Sequence, residues 1–453
     1  VIDSFARGTP RTLRQGVQAA PTPALPVKAS QAFTPSREGI FANIFDFMKT
    51  KRPRLKRLSR PATVEQRRVR VKQLSADGLF SFFRPLEPEM IRWLTRLVNT
   101  DTPSDHKQPL DQLANWFAGQ FRRCGAQTEI IKNREAGNHL LARWSCPDTR
   151  RKPVLILGHL DTVWGLRESQ RRPARIEQGK LFGPGAVDMR GGLTLVLALA
   201  KYLGAHLSTI ERPVTVLLDS DEEVGSPTSR ALIEAEAQAS EAVLVMEPCL
   251  PGGALKTFRK GVGRFTITAR GVAAHAGVDY SKGVSAILEL AHQVLALYKL
   301  NDPVQGTTVN VGVIRGGSRS NVVADQAEME ADVRVASVAE GARLEALVRG
   351  LQPKTRGASL QINGGINRPP LERTATIVAL FQRASALAAE IGIELTQGET
   401  GGGSDGSFAA ALGIPTLDGL GPDGAGPHAL HEHVLLDSLV PRAALLTQLV
   451  LRL

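Results

Sequence analysis

The sequence has 453 residues, enough for two or three domains, and its 42% apolar and 22% charged residues are ordinary for a globular protein. No apolar run approaches the ~20 residues of a membrane-spanning helix, so we expect no membrane span. The three cysteines lie far apart and form neither a disulfide framework nor a Cys-x-x-Cys metal pair. These features exclude an integral membrane protein and a disulfide-stabilised scaffold.

The net charge of +12 is concentrated near the N-terminus. Residues 1–70 carry 15 Lys and Arg against 4 Asp and Glu, which leaves 41 basic and 40 acidic residues in the rest of the chain. The nearly neutral body therefore gives no electrostatic reason to expect nucleic-acid binding. We expect residues 1–78 to be a basic, disordered extension, with a targeting segment as the alternative. A cytoplasmic location is expected, and a secreted or periplasmic one is left open.

Helices alternate with buried strands after this extension. Amphipathic spacing predicts helices first, and continuous apolar runs then predict buried strands. The predicted helices cover 88–99, 110–125, 191–203 and 229–240, and the predicted strands cover 154–159, 214–219 and 242–247. This alternation indicates a parallel sheet covered by helices on both faces.

The pattern changes at Gly261, where strands with alternating apolar and polar residues begin. Their order with two helices is β-α-β-β-α-β, that of a ferredoxin-like split βαβ unit. After Pro369-Pro370 the earlier alternation resumes. We therefore expect a large domain in two parts, 79–260 and 368–453, with a small α+β domain, 261–367, inserted between them.

Metal-binding residue types follow the predicted core strands. The carboxyl ends of parallel strands meet at one sheet edge, where ligands bind. The groups placed there are His159, Asp161, Asp221, Glu222, Glu223 and Glu247, with Asp188 just before a helix. Imidazole with carboxylates suits zinc, or cobalt and manganese as substitutes. Helix N-caps or a solvated Glu pair are the alternatives for single residues, but they do not explain such groups at every core strand.

Several long motifs occur together and in a fixed order. They are GHLDTVW, GKLFGPGAVDMRGG, DSDEEVGS, VMEP, GVAAHAG and ETGGGSDGSFAAALGIP. In this order they resemble the aminoacylase/carboxypeptidase G family of di-zinc exopeptidases, and the C-terminal stretch LDGLGPDGAGPHALHEHV is similar to the carboxypeptidase G type. The resemblance covers roughly residues 85–453. It implies a zinc-exopeptidase-like α/β fold with a parallel-rich sheet, and a ferredoxin-like inserted domain that forms a dimer.

The resemblance also implies roles for individual residues. Glu222 matches the general base, and Asp161 matches the carboxylate that orients a metal-binding histidine. Metal ligands are implied at His159, Asp188, Glu223, Glu247 and His428. His428 is chosen over His431 and His433, which we expect at the surface, because Glu432 follows it by four residues and a Gly-rich loop precedes it.

Substrate contacts are implied in the inserted domain and in a glycine loop. His275 matches a histidine that enters the partner subunit's site, and the alternative is an exposed histidine at a strand end. Asn321 and Arg334 match a substrate-binding pair, and a guanidinium suits a free carboxylate. The alternative for Arg334 is an outward-facing strand residue. Gly402, within Gly401–Gly403, would line the pocket.

The resemblance thus implies an amidohydrolase with two Zn²⁺ per chain, with Co²⁺ or Mn²⁺ as substitutes. We expect hydrolysis of a peptide or N-acyl amino acid that releases the C-terminal amino acid, with glutamate as one candidate, in a homodimer. An N-acyl amino acid deacylase or a dipeptidase with the same machinery is the nearest alternative. A metal-free binding protein on the same fold would have lost ligands, and none is missing here.

Overall fold

A computed structural model describes residues 75–146 and 150–453. The expected basic extension lies outside the described residues, apart from its last four positions. Those positions begin helix α1, which starts at Ala76, three residues before the expected domain boundary. The helix starts there because the Ser75 side chain accepts a hydrogen bond from the Gly78 N–H and caps it.

The helices of the described residues pack mainly around the large sheet. The α5 helix is apolar on all sides and almost wholly buried, as expected for a helix inside a core. The helices are α1 (Ala76–Phe83), α2 (Glu87–Val98), α3 (Lys107–Arg123), α4 (Glu168–Arg171), α5 (Gly191–Ala205), α6 (Arg230–Ala239), α7 (Ala286–Tyr298), α8 (Val338–Arg349), α9 (Ala375–Ala389), α10 (Gly406–Ala411) and α11 (Leu439–Arg452). No helix in the described ranges is both long enough and apolar enough to cross a membrane.

The strands form one large sheet and three smaller ones. They are β1 (Gln127–Ile131), β2 (His139–Trp144), β3 (Val154–His159), β4 (Arg175–Glu177), β5 (Lys180–Phe182), β6 (Val214–Asp219), β7 (Ala242–Val245), β8 (Leu255–Arg259), β9 (Gly261–Arg270), β10 (Thr308–Gly316), β11 (Gln326–Val335), β12 (Ser359–Arg368), β13 (Gln397–Thr400), β14 (Thr416–Leu417), β15 (Gly424–Ala425) and β16 (His433–Leu435). Two small sheets have the orders β13-β8 and β15-β16-β5-β4.

The large sheet has the order β1-β2-β6-β3-β7-β14. Its β6, β3, β7 and β14 strands are parallel, which confirms the predicted parallel-rich sheet flanked by helices. The β1 and β2 strands add an antiparallel margin that the sequence analysis did not predict. The carboxyl ends of β3, β6 and β7 lie side by side, so the residues that follow them meet at one edge.

The second four-stranded sheet contains β9 to β12 in the order β10-β11-β9-β12, and all neighbours are antiparallel. With α7 and α8 the chain order is β-α-β-β-α-β, that of a ferredoxin-like unit. One face of the sheet packs on the helices through Phe265, Ile267 and Met329. The other face carries polar residues. The last strand extends to Arg368, one residue past the expected end of the insertion.

Candidate active site

His159 ends β3, a strand whose six residues are all buried. Its Nε2 atom lies 3.3 Å from Asp188 Oδ1 and 3.5 Å from Glu247 Oε1. Its Nδ1 atom faces the backbone oxygen and the Oδ1 atom of Asp161, at 3.1 and 3.3 Å. Asp161 therefore holds a proton on Nδ1, which leaves Nε2 to bind a cation.

We call His159, Asp188 and Glu247 the first triad. A second triad, Asp188, Glu223 and His428, shares Asp188 with it. His428 Nε2 lies 3.4 Å from Asp188 Oδ2 and 3.3 Å from Glu223 Oε2. Asp188 thus turns one carboxylate oxygen towards each imidazole. The structure brings together all five side chains that the resemblance implied as metal ligands, and their role as ligands stays a prediction.

The backbone has positive φ angles at and just before His428, a member of the second triad. Gly426 has a φ of 75°, a conformation that glycine adopts at little steric cost, and His428 has a φ of 62°. A Cβ atom at Gly426 would lie 2.8 Å from Cδ2 of His431. The positive φ angles of Gly426 and His428 therefore turn the chain here, and the His428 side chain lies near Asp188.

The distances and burial within these triads fit metal binding. Two ligands of one tetrahedral zinc ion, each ~2.0–2.1 Å from the metal, lie about 3.3–3.4 Å apart. The nitrogen-oxygen distances of 3.3–3.5 Å in both triads match that separation. The Oε1 atom of Glu223 is buried and has no hydrogen-bond partner among the described residues, as expected for an oxygen aimed at a cation. His159, Asp188 and Glu223 each offer one ligand atom, all within 4.8 Å of one another.

The pKa values of both histidines are raised by the carboxylates around them. Hydrogen bonds to Asp188 and Glu223 raise the pKa of His428 to about 11. Burial lowers the pKa of His159, but its contacts with Asp161, Asp188 and Glu247 outweigh burial and raise it. Protons and cations therefore compete for the same nitrogen atoms, so metal binding must weaken as pH falls.

Asp161 orients more than one part of this site. Its Oδ2 atom accepts hydrogen bonds from Ser104 Oγ at 2.7 Å and from the Glu223 N–H at 3.1 Å. Its Oδ1 atom accepts from the Glu222 N–H at 3.3 Å. A single buried carboxylate thus connects His159 to the turn that carries Glu222 and Glu223.

Glu222, the implied general base, is paired with a buried arginine. Arg368 Nη2 lies 2.9 Å from Glu222 Oε1 and 3.1 Å from Asp405 Oδ1. Burial raises the pKa of Glu222, and the guanidinium opposes that rise. Sequence reasoning missed Arg368, although an arginine ending a strand beside Pro369 was a visible signal.

A second buried arginine holds the ligand candidate Glu247. Arg259 Nη2 lies 3.3 Å from Glu247 Oε2 and 2.7 Å from Asp418 Oδ1. Its Nη1 atom donates to the Gly403 carbonyl at 2.8 Å. Glu247 therefore keeps Oε1 on the side of His159, while Arg259 takes Oε2. Sequence reasoning also missed this pair, whose signal was an arginine at the end of β8.

Glu432 fixes the loop that carries Asp188. Its buried carboxylate accepts hydrogen bonds from the backbone N–H groups of Gly185, Val187 and Asp188 at 2.9–3.0 Å. It also accepts from Trp164 Nε1 at 3.0 Å. Four donors converge on one side chain, so Glu432 sets the position of the residue shared by both triads.

Comparison with known proteins identifies the family. A family model described as Peptidase family M20/M25/M40 matches residues 155–452, about two thirds of the chain. The chain belongs to this family. It is therefore an enzyme that hydrolyses peptide or amide bonds, and the resemblance seen in the sequence is confirmed.

Individual known proteins resemble the chain over most of its length. Carboxypeptidase G2 of Pseudomonas sp. (strain RS-16) is 29% identical over 370 residues, which cover 80% of this chain and 89% of that protein. Succinyl-diaminopimelate desuccinylase of Bordetella avium (strain 197N) is 27% identical over 344 residues, covering 72% and 89%. The solved structure of a dinuclear metal-binding M20 peptidase of Bacillus subtilis, 16% identical, has a TM-score of 0.58 and covers 81% of this chain and 98% of its own.

The position of Glu432 in this M20 chain leads to a prediction about metal affinity. We expect Glu432→Gln to weaken metal binding by about 10- to 100-fold, the usual cost of losing a group that orients a ligand. The reason is that an amide NH₂ would face backbone N–H donors and displace the Asp188 loop. Competition titration against a zinc-binding dye measures the affinity. His431→Gln, an exposed neighbour, is the matched control, and equal affinities for the two variants would contradict the prediction.

The implied substrate residues form two groups: His275 and Asn321 lie in adjoining segments, and Arg334 lies beside the glycine loop. His275 is exposed, and its Nδ1 atom accepts from the N–H groups of Gly277 and Val278 at 3.1 and 3.2 Å. The backbone oxygen of Asn321 accepts from the neighbouring Ala276 N–H. Arg334 instead donates from Nη1 to the Gly401 carbonyl at 3.3 Å. Among the described residues, His275 makes no hydrogen bond or ion pair with the two triads.

The sequence analysis also named Gly402 in the glycine loop and two further histidines near the C-terminus. Gly402 lies between the two carbonyls contacted by Arg334 and Arg259, and its own carbonyl is 3.3 Å from Arg259 Nη1. His431 is exposed, as expected. The expectation for His433 was wrong, because it lies in β16 with 9% exposure and packs against Phe182. His433 is paired with Phe182 across β16 and β5, which brings its ring against that side chain.

Proposed function

We propose that this chain is a two-zinc carboxypeptidase-type amidohydrolase that releases the C-terminal amino acid from a peptide or N-acyl amino acid. His159, Asp188 and Glu247 would hold one zinc ion, and Asp188, Glu223 and His428 the other. The observation that carries the proposal is the carboxylate of Asp188, whose two oxygens face two different imidazoles. Co²⁺ or Mn²⁺ would suit the same donor set.

The residues of the site divide the chemistry between them. When bound, two zinc ions supply Lewis acidity and lower the pKa of water towards ~7. Glu222 takes a proton from the attacking water and passes it to the leaving nitrogen. Arg368 opposes, without cancelling, the rise that burial gives to the pKa of Glu222. Asp161 keeps Glu222 in register with His159.

Selection of a free C-terminus is assigned to Arg334, with Asn321 as a further substrate contact. A guanidinium binds a carboxylate through two parallel hydrogen bonds, which an uncharged C-terminal amide cannot replace. Arg334 lies beside the Gly401–Gly403 loop, and Arg259 connects that loop to the ligand candidate Glu247. This chain of contacts supports a carboxylate pocket next to the metal centre.

His275 would serve the site of a partner subunit in a homodimer. Because its Nδ1 accepts two hydrogen bonds, the neutral ring carries its proton on Nε2, the form that donates to an oxyanion. The β10 strand ends its sheet, and α7, which packs beside it, exposes Ile287 and Leu295. An outer strand and an apolar helix face on the same domain support pairing with a second copy.

The substrate proposal predicts a strong preference for a free carboxylate. Zinc-loaded protein would be assayed with N-benzoyl derivatives of Glu, Asp, Ala, Leu, Phe and Lys, with their α-carboxamides, and with glycyl dipeptides. We expect hydrolysis of free acids and at least about tenfold poorer kcat/KM for the amides. The reason is that an amide lacks the carboxylate that would pair with Arg334. Arg334→Met should remove most of that discrimination.

Two results would change this assignment. Equal hydrolysis of acids and amides by the unaltered protein would contradict the carboxypeptidase proposal. Hydrolysis of N-acetyl and N-succinyl diamino acids in preference to peptides and benzoyl compounds would favour an N-acyl amino acid deacylase, the activity carried by the name of the desuccinylase relative.

A further inference from the structure

The Arg334 side chain is already paired with a carboxylate of its own strand. Asp332 and Arg334 are two residues apart on β11, so both side chains lie on the polar face of the sheet. Arg334 Nε donates to Asp332 Oδ1 at 2.8 Å, and Arg334 Nη2 donates to Asp332 Oδ2 at 2.9 Å. Their side chains are 31% and 44% exposed, so the pair lies in contact with solvent.

This pair uses one particular edge of the guanidinium. Of its five N–H donors, Nε–H and one Nη2–H form the side edge, and both point to Asp332. One Nη1–H makes the longer contact, 3.3 Å, with the Gly401 carbonyl. One donor is left on each terminal nitrogen. These terminal nitrogens are the pair that an incoming carboxylate can use end-on.

The occupied edge fixes the direction in which Arg334 can bind. A bidentate contact holds the guanidinium in the plane of the Asp332 carboxylate and stops rotation of a long, flexible side chain. The contact from Nη1 to Gly401 places the guanidinium beside the glycine loop. The loop is in turn connected through Arg259 to Glu247, so Arg334 and a metal-ligand candidate are linked through the same glycine loop.

We propose that Asp332 is a positioning residue that fixes Arg334 for end-on binding of the substrate's terminal carboxylate. The inference rests on the proposed role of Arg334. The alternative is that Asp332, as a carboxylate close to the same guanidinium, competes with the substrate for Arg334. Positioning predicts weaker substrate binding when Asp332 is removed, and competition predicts tighter binding, so the sign of the change decides between them.

The experiment compares Asp332→Ala, Glu330→Ala and Arg334→Met. Glu330 is the matched control because it carries the same charge on the same face of β11, and among the described residues it makes no ion pair with Arg334. Each variant is assayed for kcat and KM with the N-benzoyl amino acid that the unaltered protein hydrolyses fastest, and with its α-carboxamide. Zinc content and thermal unfolding are measured for each.

We expect Asp332→Ala to raise KM for the free acid about five- to tenfold, the cost of immobilising one freed side chain on binding. KM for the carboxamide and kcat for both substrates should change little. Glu330→Ala should leave both KM values unchanged, which separates positioning from a general change in charge.

Each other result overturns the inference. A lower KM for the free acid in Asp332→Ala would show competition. An unchanged KM in that variant, with a raised KM in Arg334→Met, would show that Arg334 binds the carboxylate without help from Asp332. If Arg334→Met itself leaves the preference for the acid unchanged, the clamp assigned under the proposed function fails, and the role of Asp332 fails with it.

Discussion

Glu222→Gln should lower kcat by at least about 100-fold while two metal ions stay bound per chain. Glutamine keeps the shape of the side chain and can still contact Arg368, but it cannot accept a proton from water. Arg368 would retain Asp405 as a charged partner, so we expect the local packing to survive. The measurements are kcat on the best substrate and zinc per chain by atomic emission.

Glu223→Gln is the informative neighbour for this experiment. Glu223, not Glu222, faces His428, so this variant should lose metal as well as activity. A Glu222→Gln protein that keeps more than about a hundredth of the original kcat would show that another group is the base. Loss of zinc from Glu222→Gln but not from Glu223→Gln would reverse the two roles.

Mixing two inactive variants should restore activity if His275 acts in the partner's site. His275→Ala removes an oxyanion donor, which costs about 100- to 1,000-fold in kcat, and Glu222→Gln removes the base. In a mixed dimer one site carries both defects and the other has an intact Glu222 and an intact His275. With random exchange of subunits, about a quarter of the original activity per chain should return.

The control for this experiment is subunit exchange itself. Labelled proteins would report exchange independently, and each variant would be assayed alone to show that neither homodimer is active. If exchange is complete and no activity returns, His275 acts within its own chain or not at all. The dimer would then be a structural proposal only.

Strand positions were predictable where the chain is buried on both sides. The predicted strands 154–159 and 214–219 have the same limits in the structure, because continuous apolar runs mark strands covered by helices on both faces. The β1 and β2 strands escaped prediction. The outer strand β1 is half-exposed and mixed in composition, and its pairing with β2 depends on contacts that a local pattern does not contain.

The site residues also divide into those that a local sequence pattern reveals and those that depend on contacts with distant parts of the chain. The ligand candidates follow core strands or belong to recognisable motifs, so their convergence could be anticipated. Arg368 and Glu432 could not be assigned, because each acts on a residue far away in the sequence, and Arg259 is paired with Asp418, 159 positions away. Arg368 meets Glu222 across 146 positions, and Glu432 meets Asp188 across 244. A buried charge needs a partner, but the sequence alone does not tell which one.

The two buried arginine–aspartate pairs limit how this enzyme can be redesigned. Arg259 is paired with Asp418, and Arg368 with Asp405, and both aspartates are almost wholly buried. Removing one member of such a pair strands an uncompensated charge and typically costs ~3–5 kcal/mol, a large part of a domain's total stability. Libraries that vary one arginine at a time would therefore be dominated by destabilised variants. Homologues that lack one of these arginines should also lack its aspartate, so each pair should covary as a unit.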